Sequence, residues 1–196
     1  MVIFCKSKAS AQQTLEHIVL YIERKLFLKV NREKTVVAYA GKIKFLGYGF
    51  YKSQEGFGLR VNEKAKRKMV ARVKELTSRC KVNDYEAWKK SLKQFIVGWV
   101  NYYKLADMRN LLKSTDKWMR RRIRMVLWKK WKRVRTRYRN LRKLGTTHAN
   151  AMRLANSRKG CWRISESPII NEALSNARLE RAGFVSLSGY YKSVVA

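Results

Sequence analysis

Apolar positions follow a strand-like pattern only near the beginning of the chain, and a helical pattern almost everywhere else. Four short apolar segments predict strands, at residues 1–4, 34–40, 44–51 and 58–61. Residues 10–28 predict a helix instead, because apolar residues recur there every three or four positions: Leu15, Ile18, Val19, Ile22 and Leu26. The first sixty residues therefore predict a small α/β unit.

Two amphipathic helices are predicted next, each with an asparagine at its start. Asn62 is a suitable cap for a helix with a single apolar stripe, formed by Ala65, Met69, Val73, Leu76 and Cys80. Asn83 is predicted to begin the second helix, with Glu86 in capping-box position. The predicted buried face of this helix is Trp88, Leu92, Phe95, Trp99 and Tyr102 or Tyr103. Gly98 lies inside it, which indicates a close helix crossing.

A third, more basic helix is predicted over residues 116–135, and shorter helices follow. Its apolar face consists of Met119, Ile123, Val126, Leu127, Trp131 and Val134. Beyond Gly145 the candidates are residues 147–156, a helix opened by Pro168, and helices within residues 173–185 and 188–194. The expected fold class is mainly α, a three-helix bundle plus short helices, preceded by the small α/β unit. We expect segments 1–61, 62–145 and 146–196.

The charge pattern narrows the class of partner. Lys and Arg number 46 against 13 Asp and Glu, a net charge of +33, while 46% hydrophobic residues are enough to form a core. Residues 117–165 contain 18 of the basic residues and no acidic one, with aromatic residues between them. Unopposed cations favour a polyanion, and aromatic side chains can stack on bases, so nucleic acid is the expected partner. The alternatives are a solvated helical face over buried tryptophans and a membrane surface.

Neither the cysteines nor the carboxylates form a metal-binding pattern. The three cysteines lie far apart without a C-x-x-C pair, and we expect reduced structural thiols: Cys5, Cys80 and Cys161. The three aspartates are scattered, and we expect them to cap helices: Asp84, Asp107 and Asp116. No segment approaches the roughly 20 apolar residues of a spanning helix, and the apolar start is too short for a signal peptide. The expected location is the cytoplasm.

Seven short sequence words, in order along nearly the whole chain, resemble the carboxy-terminal half of a bacterial group II intron reverse transcriptase and maturase. They are VIFC at residues 2–5, NREKT at 31–35, FLGY at 45–48, GWVNYY at 98–103, WMRRRIR at 118–124, ANSRKG at 155–160 and LSN at 174–176. Each word alone is a weak signal, but the complete ordered series is specific to that family.

The resemblance implies that residues 1–61 are the last part of a polymerase palm, and that Asn62 onward is the thumb, or maturase domain X. In such proteins a metal-binding Tyr-Ala-Asp-Asp turn precedes the strand that residues 2–4 resemble, and Met1 stands at that place here. Two-metal nucleotidyl transfer requires carboxylates close together. We therefore expect no polymerase activity from this chain alone, no bound cofactor, and Mg²⁺ only in the complete polymerase. Val134 replaces a proline found in some relatives, so the third helix is expected to continue.

Residues expected to contact nucleic acid follow from the resemblance and from the charge pattern. Phe45, Leu46, Gly47 and Tyr48 look like a primer grip, in which a glycine within a strand allows close backbone approach, although Phe45 and Leu46 equally fit a hairpin core. The residues predicted to contact RNA are Lys34, Arg120, Arg121, Arg122, Arg124, Lys129, Lys130, Lys132, Arg133, Arg135, Arg137, Arg139, Arg158, Lys159 and Trp162. Helical spacing favours a core role for the other tryptophans, Trp99, Trp128 and Trp131.

The expected function is binding of group II intron RNA to assist its splicing, and gripping of template and primer when a catalytic palm is supplied. Other candidate partners are target DNA, an RNA–DNA primer-template and the upstream reverse transcriptase half. One alternative is the carboxy-terminal half of a split or mis-started RNA-directed DNA polymerase that is active only with its upstream palm. A second alternative is a generic basic nucleic-acid binder or a decayed fragment.

Overall fold

A computed structural model describes residues 1–54, 56–80, 82 and 84–195. The chain divides into two compact units, Met1–Asn62 and Glu63–Ala196. The described residues form ten α-helices and one three-stranded antiparallel sheet, and the sheet lies in the first unit. The expected fold class, mainly α with a small α/β part, is confirmed.

The first unit consists of one helix and a meander of three strands. Helix α1 spans Lys8–Lys25 and begins where the Ser7 hydroxyl accepts a hydrogen bond from the Ser10 N–H at 3.1 Å. A 3-10 turn, Ala40–Lys42, precedes strands β1 (Lys44–Phe45), β2 (Tyr48–Ser53) and β3 (Gly56–Val61). The strand order is β1-β2-β3, and β2 pairs with β3 along its whole length.

A two-residue turn joins β1 to β2. Phe45 pairs with Tyr48, and the loop residues Leu46 and Gly47 have φ angles of 48° and 82°. Positive φ at both positions is what a type I′ hairpin turn requires, and glycine adopts it without strain. Gly47 therefore lies in a turn, and the prediction that it stands inside a strand is wrong. Phe45 and Leu46 are exposed, so the predicted hairpin-core role for these two side chains is wrong as well.

Two of the predicted strands are absent from the described residues of the first unit. Residues 1–4 pair with no strand there, and Ile3 and Phe4 are exposed. Near residues 34–40 the chain turns instead, because the Asn31 side chain accepts the Lys34 N–H at 3.0 Å and the Asn31 carbonyl accepts the Thr35 hydroxyl at 2.7 Å. Such local side-chain bonding competes with a sheet ladder.

The described residues of the second unit form nine helices, with α4 at their centre. They are α2 (Glu63–Leu76), α3 (Tyr85–Tyr103), α4 (Arg109–Lys130), α5 (Val134–Lys143), α6 (His148–Ala155), α7 (Cys161–Ile164), α8 (Pro168–Ala173), α9 (Asn176–Arg181) and α10 (Leu187–Val195). Helix α4 contacts α2, α7 and α10, and α10 also packs on α3. The predicted bundle of α2, α3 and α4 is therefore completed by the last helix of the chain, and residues 146–196 are part of the same compact unit.

Helix α3 buries Trp88 and Leu92 as predicted, but in its second half it buries Ile96 and Val100 in place of Phe95 and Trp99. Its buried residues are spaced four apart: Trp88, Leu92, Ile96 and Val100. The side chain of Asp84 caps the helix by accepting the N–H groups of Glu86 and Ala87, at 3.0 and 3.3 Å, whereas the predicted start at Asn83 lies outside the described residues. Gly98 is exposed, and no described atom lies within 4 Å of the position its Cβ would take. The predicted close helix crossing at Gly98 is therefore wrong.

Helix α4 ends at Lys130, so the expectation of an uninterrupted helix through Arg135 is wrong. Trp131 leaves the helical conformation with ψ of 65°, and α5 begins three residues later. Arg137 stabilises this corner, because its Nε donates to the Trp131 carbonyl at 2.9 Å and its guanidinium lies 4.9 Å from the Trp128 ring centre. The corner contains no proline or glycine, so no local breaker marks it in the sequence.

Candidate nucleic-acid interface

The four arginines in the middle of α4 bind other parts of the second unit. Arg122 donates from Nε to Thr77 Oγ1 at 2.5 Å, and from Nη2 to the carbonyls of Lys74 and Thr77 at 3.0 and 3.2 Å. These carbonyls belong to the C-terminal end of α2, where a cation is favourable. Burial lowers the pKa of Arg122 below its usual value. Arg122 therefore joins α4 to α2.

Arg124 and Arg121 connect α4 to the last third of the chain. Arg124 is 8% exposed, and it donates to the Leu174 carbonyl at 2.9 Å and to Asn176 Oδ1 at 3.1 Å. Burial, and secondarily the charge of Arg120, lower the pKa of Arg124. Arg121 pairs with Glu166 at 2.7 Å, and its guanidinium lies 3.9 Å from the Trp162 ring centre.

These contacts change the role expected for the central arginines of α4. The sequence predicted that Arg120, Arg121, Arg122 and Arg124 reach phosphates along the helix. Arg122 and Arg124 are instead committed to backbone and amide acceptors, and Arg121 to Glu166 and Trp162. Arg120 pairs with Glu180 at 3.4 Å. Arg122 thus makes three hydrogen bonds inside the protein and Arg124 two, out of five N–H donors each. Both side chains anchor the fold, and phosphate contact by their remaining donors stays a prediction.

The unpaired positive charge lies further along the chain, from the end of α4 through α5 and in the turn after α6. Within the described part of the chain, eight of the basic side chains predicted to contact RNA in this region have no carboxylate partner and no hydrogen bond. We call them the basic surface: Lys129, Lys130, Lys132, Arg133, Arg135, Arg139, Arg158 and Lys159. All except the half-buried Lys130 are exposed. Their number makes this part of the unit strongly electropositive.

A groove brings the beginning of α5 together with the turn after α6. It has a volume of about 690 Å³ and is lined by Val134, Arg137, Ala155, Asn156, Ser157, Arg158 and Lys159. Helices α5 and α6 pack against each other, which places the turn beside α5. Two residues of the basic surface thus line the groove, and Arg133 and Arg135 flank Val134 in sequence. This juxtaposition of residues more than 20 apart follows from the packing of α5 on α6.

The tryptophans divide into core and surface residues. Trp128 is 1% exposed and belongs to the core, as its helical spacing predicted. Trp99 and Trp131 are half-buried. Trp162, predicted to contact RNA, is 39% exposed on α7, with one face covered by the Arg121 guanidinium. The face of Trp162 that Arg121 covers is therefore not available to stack on a base.

In the first unit the predicted nucleic-acid contacts lie on exposed backbone turns. Lys34 follows the turn held by Asn31 and is exposed. The primer-grip candidates, Phe45, Leu46, Gly47 and Tyr48, form the β1–β2 turn, and the Gly47 carbonyl accepts the Asn62 N–H at 2.9 Å. Leu46, at the tip of this turn, is 64% exposed.

The carboxylates have structural roles. Asp84 caps α3, and Asp107 accepts the Arg109 N–H at 3.3 Å near the start of α4. Asp116 is different, because it lies inside α4 and binds the start of α10. The described residues contain no group of three or more metal-ligating side chains, and none of the described helices has the length and apolar character to cross a bilayer.

Sequence reasoning missed Asn156 and Ser157, which line the groove, and the anchoring role of Asp116. The motif at residues 155–160 was the only signal for the groove residues. No local signal identifies Asp116, because its partners Ser186, Leu187 and Ser188 lie 70 to 72 residues away.

Comparison with known proteins identifies the region that contains α4 and α5. The model of the family "Group II intron, maturase-specific domain" matches residues 66–145. A comparison with curated proteins found no match. The matched residues run from the first turn of α2 to the end of α5, which include six members of the basic surface. The resemblance found in the sequence is confirmed over this region: residues 66–145 are similar to the group II intron maturase-specific domain.

Proposed function

We propose that this protein binds group II intron RNA through the basic surface and thereby assists splicing of the intron. The observation that carries the proposal is the set of eight basic side chains without carboxylate partners in the described part of the chain, six of them inside the maturase-specific match. An intron RNA supplies the phosphates that such a surface lacks. The groove at the start of α5 gives the surface a concave part into which a strand or loop can fit.

The physical signature of this binding is its dependence on salt. Each phosphate neutralised by Lys or Arg releases condensed counterions, so the logarithm of affinity falls with the logarithm of salt concentration by about 0.7 to 0.9 per phosphate. A surface with eight free cations can neutralise several phosphates together. Affinity for RNA should therefore fall steeply as salt rises.

The test compares two triple variants that remove the same charge. R133A/R135A/R139A removes three members of the basic surface, and K64A/R67A/K68A removes three exposed basic residues from α2. Binding of a group II intron transcript should weaken at least tenfold in the α5 variant, with a salt slope lower by about 2 to 3. Splicing stimulated by the protein should fall in parallel. The α2 variant should bind and splice nearly as the original chain does.

Equal loss in both triple variants would show that net charge alone drives RNA binding, and would contradict an interface at α5. An unrelated structured RNA of the same length is the second control. If it binds as tightly as the intron transcript in both proteins, the protein is the generic nucleic-acid binder of the second alternative.

One observation favours the other candidate, a half-enzyme that acts with an upstream reverse transcriptase palm. Among described residues 1–62 only Gly49 and Val61 are buried, and many large apolar side chains are exposed, including Phe4, Phe27, Leu28, Val36 and Phe57. An apolar surface of this kind favours burial against another polypeptide. Co-expression with the upstream half of a related reverse transcriptase should yield a complex in which the amides of residues 2–4 exchange hydrogen more slowly. Absence of a complex would exclude this candidate.

A further inference from the structure

A second concave site lies beside the middle of α4, and none of the eight residues of the basic surface lines it. Its volume is about 530 Å³, and its wall includes four cations of α4, namely Lys117, Arg120, Arg121 and Arg124. Polar residues from α7 to α9 and the segments between them complete the wall, among them Glu166, Asn171 and Asn176. The volume is in the range of about 300 to 1,000 Å³ that small-molecule sites occupy, and is several times that of a single anion.

The charge of this cavity is not balanced by the protein. Glu166 pairs with Arg121 at 2.7 Å, and Glu180 approaches Arg120 only to 3.4 Å, with more than half of its side chain in solvent. Lys117 and Arg124 have no carboxylate partner among the described residues. Four cations and two carboxylates leave a charge of about +2 around the cavity, close to the charge of about −1.5 to −2 on a phosphate monoester at pH 7.

Arg124 contributes the strongest part of the argument. Its residue is 8% exposed, and its recorded acceptors, the Leu174 carbonyl and Asn176 Oδ1, are both neutral. Burying a charge without a counter-ion is unfavourable, and buried charges in proteins are normally paired. An anion bound in the cavity would supply the missing counter-charge.

The wall also contains two buried polar atoms without a described partner, Arg121 Nε and Asn171 Oδ1. The orientation of the Asn171 amide is fixed, because its Nδ2 donates to the Glu166 carbonyl at 3.0 Å. The wall thus holds one unused donor and one unused acceptor. A ligand that offers both an acceptor and a donor, as a phosphorylated sugar does, supplies the kinds of partner that these two atoms lack.

We propose that this cavity binds the phosphate group of a nucleotide, with the remainder of the nucleotide against its polar wall. The phosphate lies among Lys117, Arg120 and Arg124, and the nucleotide is either free or part of a bound RNA strand. This site is distinct from the basic surface and extends the proposed RNA binding to a second place on the same unit.

The test is to titrate the full chain separately with adenosine 5′-monophosphate (AMP), adenosine and inorganic phosphate, and to measure binding by NMR or calorimetry. AMP should bind more tightly than inorganic phosphate, and adenosine should not bind measurably. Removing two cations from the wall in K117A/R120M should weaken AMP binding at least tenfold. The control R109M/K113A removes two exposed charges from the same helix, outside the cavity, and should leave AMP binding unchanged. K117E, at an exposed position without a partner, repeats the test without disturbing the Arg120–Glu180 pair.

Each contrary outcome overturns a defined part of the proposal. Failure of AMP to bind, or equal binding by K117E and the original chain, would exclude the site. Inorganic phosphate binding as tightly as AMP would exclude a nucleotide as the ligand. If a 5′-phosphorylated tetraribonucleotide displaces AMP, the phosphate bound in the cavity belongs to an RNA strand. If it does not displace AMP, the ligand is a free nucleotide. None of these measurements uses intron RNA, so their failure is separate from failure of the α5 interface.

Discussion

At the scale of single residues, the unexpected feature is how many charged side chains of α4 stabilise the fold. Arg122 and Arg124 donate hydrogen bonds to acceptors in and just after α2 and in the region around Leu174. Asp116 is 1% exposed and accepts hydrogen bonds from Ser186, Leu187 and Ser188. Sequence alone predicts that these residues are basic or acidic, but not whether each faces RNA or its own chain.

Removing the buried guanidinium of Arg124 should destabilise the fold. In R124M the carbonyl of Leu174 and Oδ1 of Asn176 lose their donors inside the protein, so the free energy of unfolding should fall by about 2 to 4 kcal/mol. R135M, at an exposed position of the basic surface, should change it by less than about 0.5 kcal/mol. Urea unfolding followed by circular dichroism measures both variants. Equal stability of R124M and the original chain would contradict a structural role for Arg124.

Asp116 should be intolerant of a neutral isostere. In D116N an N–H₂ group replaces one of the two oxygens that face four donors, so a lost hydrogen bond is combined with donor–donor repulsion. The expected cost is about 2 to 4 kcal/mol of unfolding free energy. D107N, which changes the same chemical group at an exposed position, is the matched control. Hydrogen exchange at the amides of Leu187 and Ser188 should become faster in D116N alone, and unchanged protection there would contradict the anchor.

At the scale of elements, apolar periodicity located the long helices and the buried stripes of α2 and α4, but not the complete face of α3 or the end of α4. The α3 prediction placed Phe95 and Trp99 in the core, whereas the buried positions are Ile96 and Val100. A stripe of residues spaced three or four apart spans more than a third of the helix circumference, so packing decides which edge is buried. The α4–α5 corner depends on Arg137 donating to the Trp131 carbonyl. No glycine or proline at the corner allows this contact to be predicted from the sequence.

Gly98 provides a test of the α3 assignment. Because Gly98 is exposed and a Cβ there would meet no described atom within 4 Å, G98A should raise the free energy of unfolding by about 0.5 to 1 kcal/mol. G58A provides the opposite control, since its Cβ would stand 2.5 Å from the Tyr51 ring. Thermal unfolding of the two variants and the original chain measures these changes in stability. Destabilisation by G98A would restore the close crossing that the sequence predicted.

At the scale of the whole molecule, residues 63–196 form one compact unit although the maturase-specific match ends at residue 145. Helix α10 packs on α3 and α4, and Asp116 and Arg124 in the matched region bind partners beyond residue 170. The last fifty residues therefore complete the core of the matched domain.

This packing predicts different behaviour for two fragments. Residues 62–196 should unfold cooperatively in urea and bind RNA about as tightly as the full chain, because the basic surface and its core are retained. Residues 62–145 should lack a cooperative transition, since the α4 surface under α7 and α10 is uncovered. Cooperative unfolding of the shorter fragment at a similar urea concentration would show that α6 to α10 are dispensable. Failure of residues 62–196 to fold would show that the first unit is needed.

The sequence by itself determined the mainly α class, the approximate positions of the long helices and of two strands of the sheet, and the maturase resemblance, and it predicts a partner of dense negative charge. These properties depend on local periodicity, ordered motifs and net charge, which need no knowledge of distant contacts. Only the tertiary structure decided which cations remain free for that partner. The buried face of α4 turns Arg122 and Arg124 toward acceptors 45 to 52 residues away, while α5 carries Arg133, Arg135 and Arg139 where no carboxylate reaches them. The sequence gives the number and positions of the charged residues, but the packing of the folded chain decides which of them are paired.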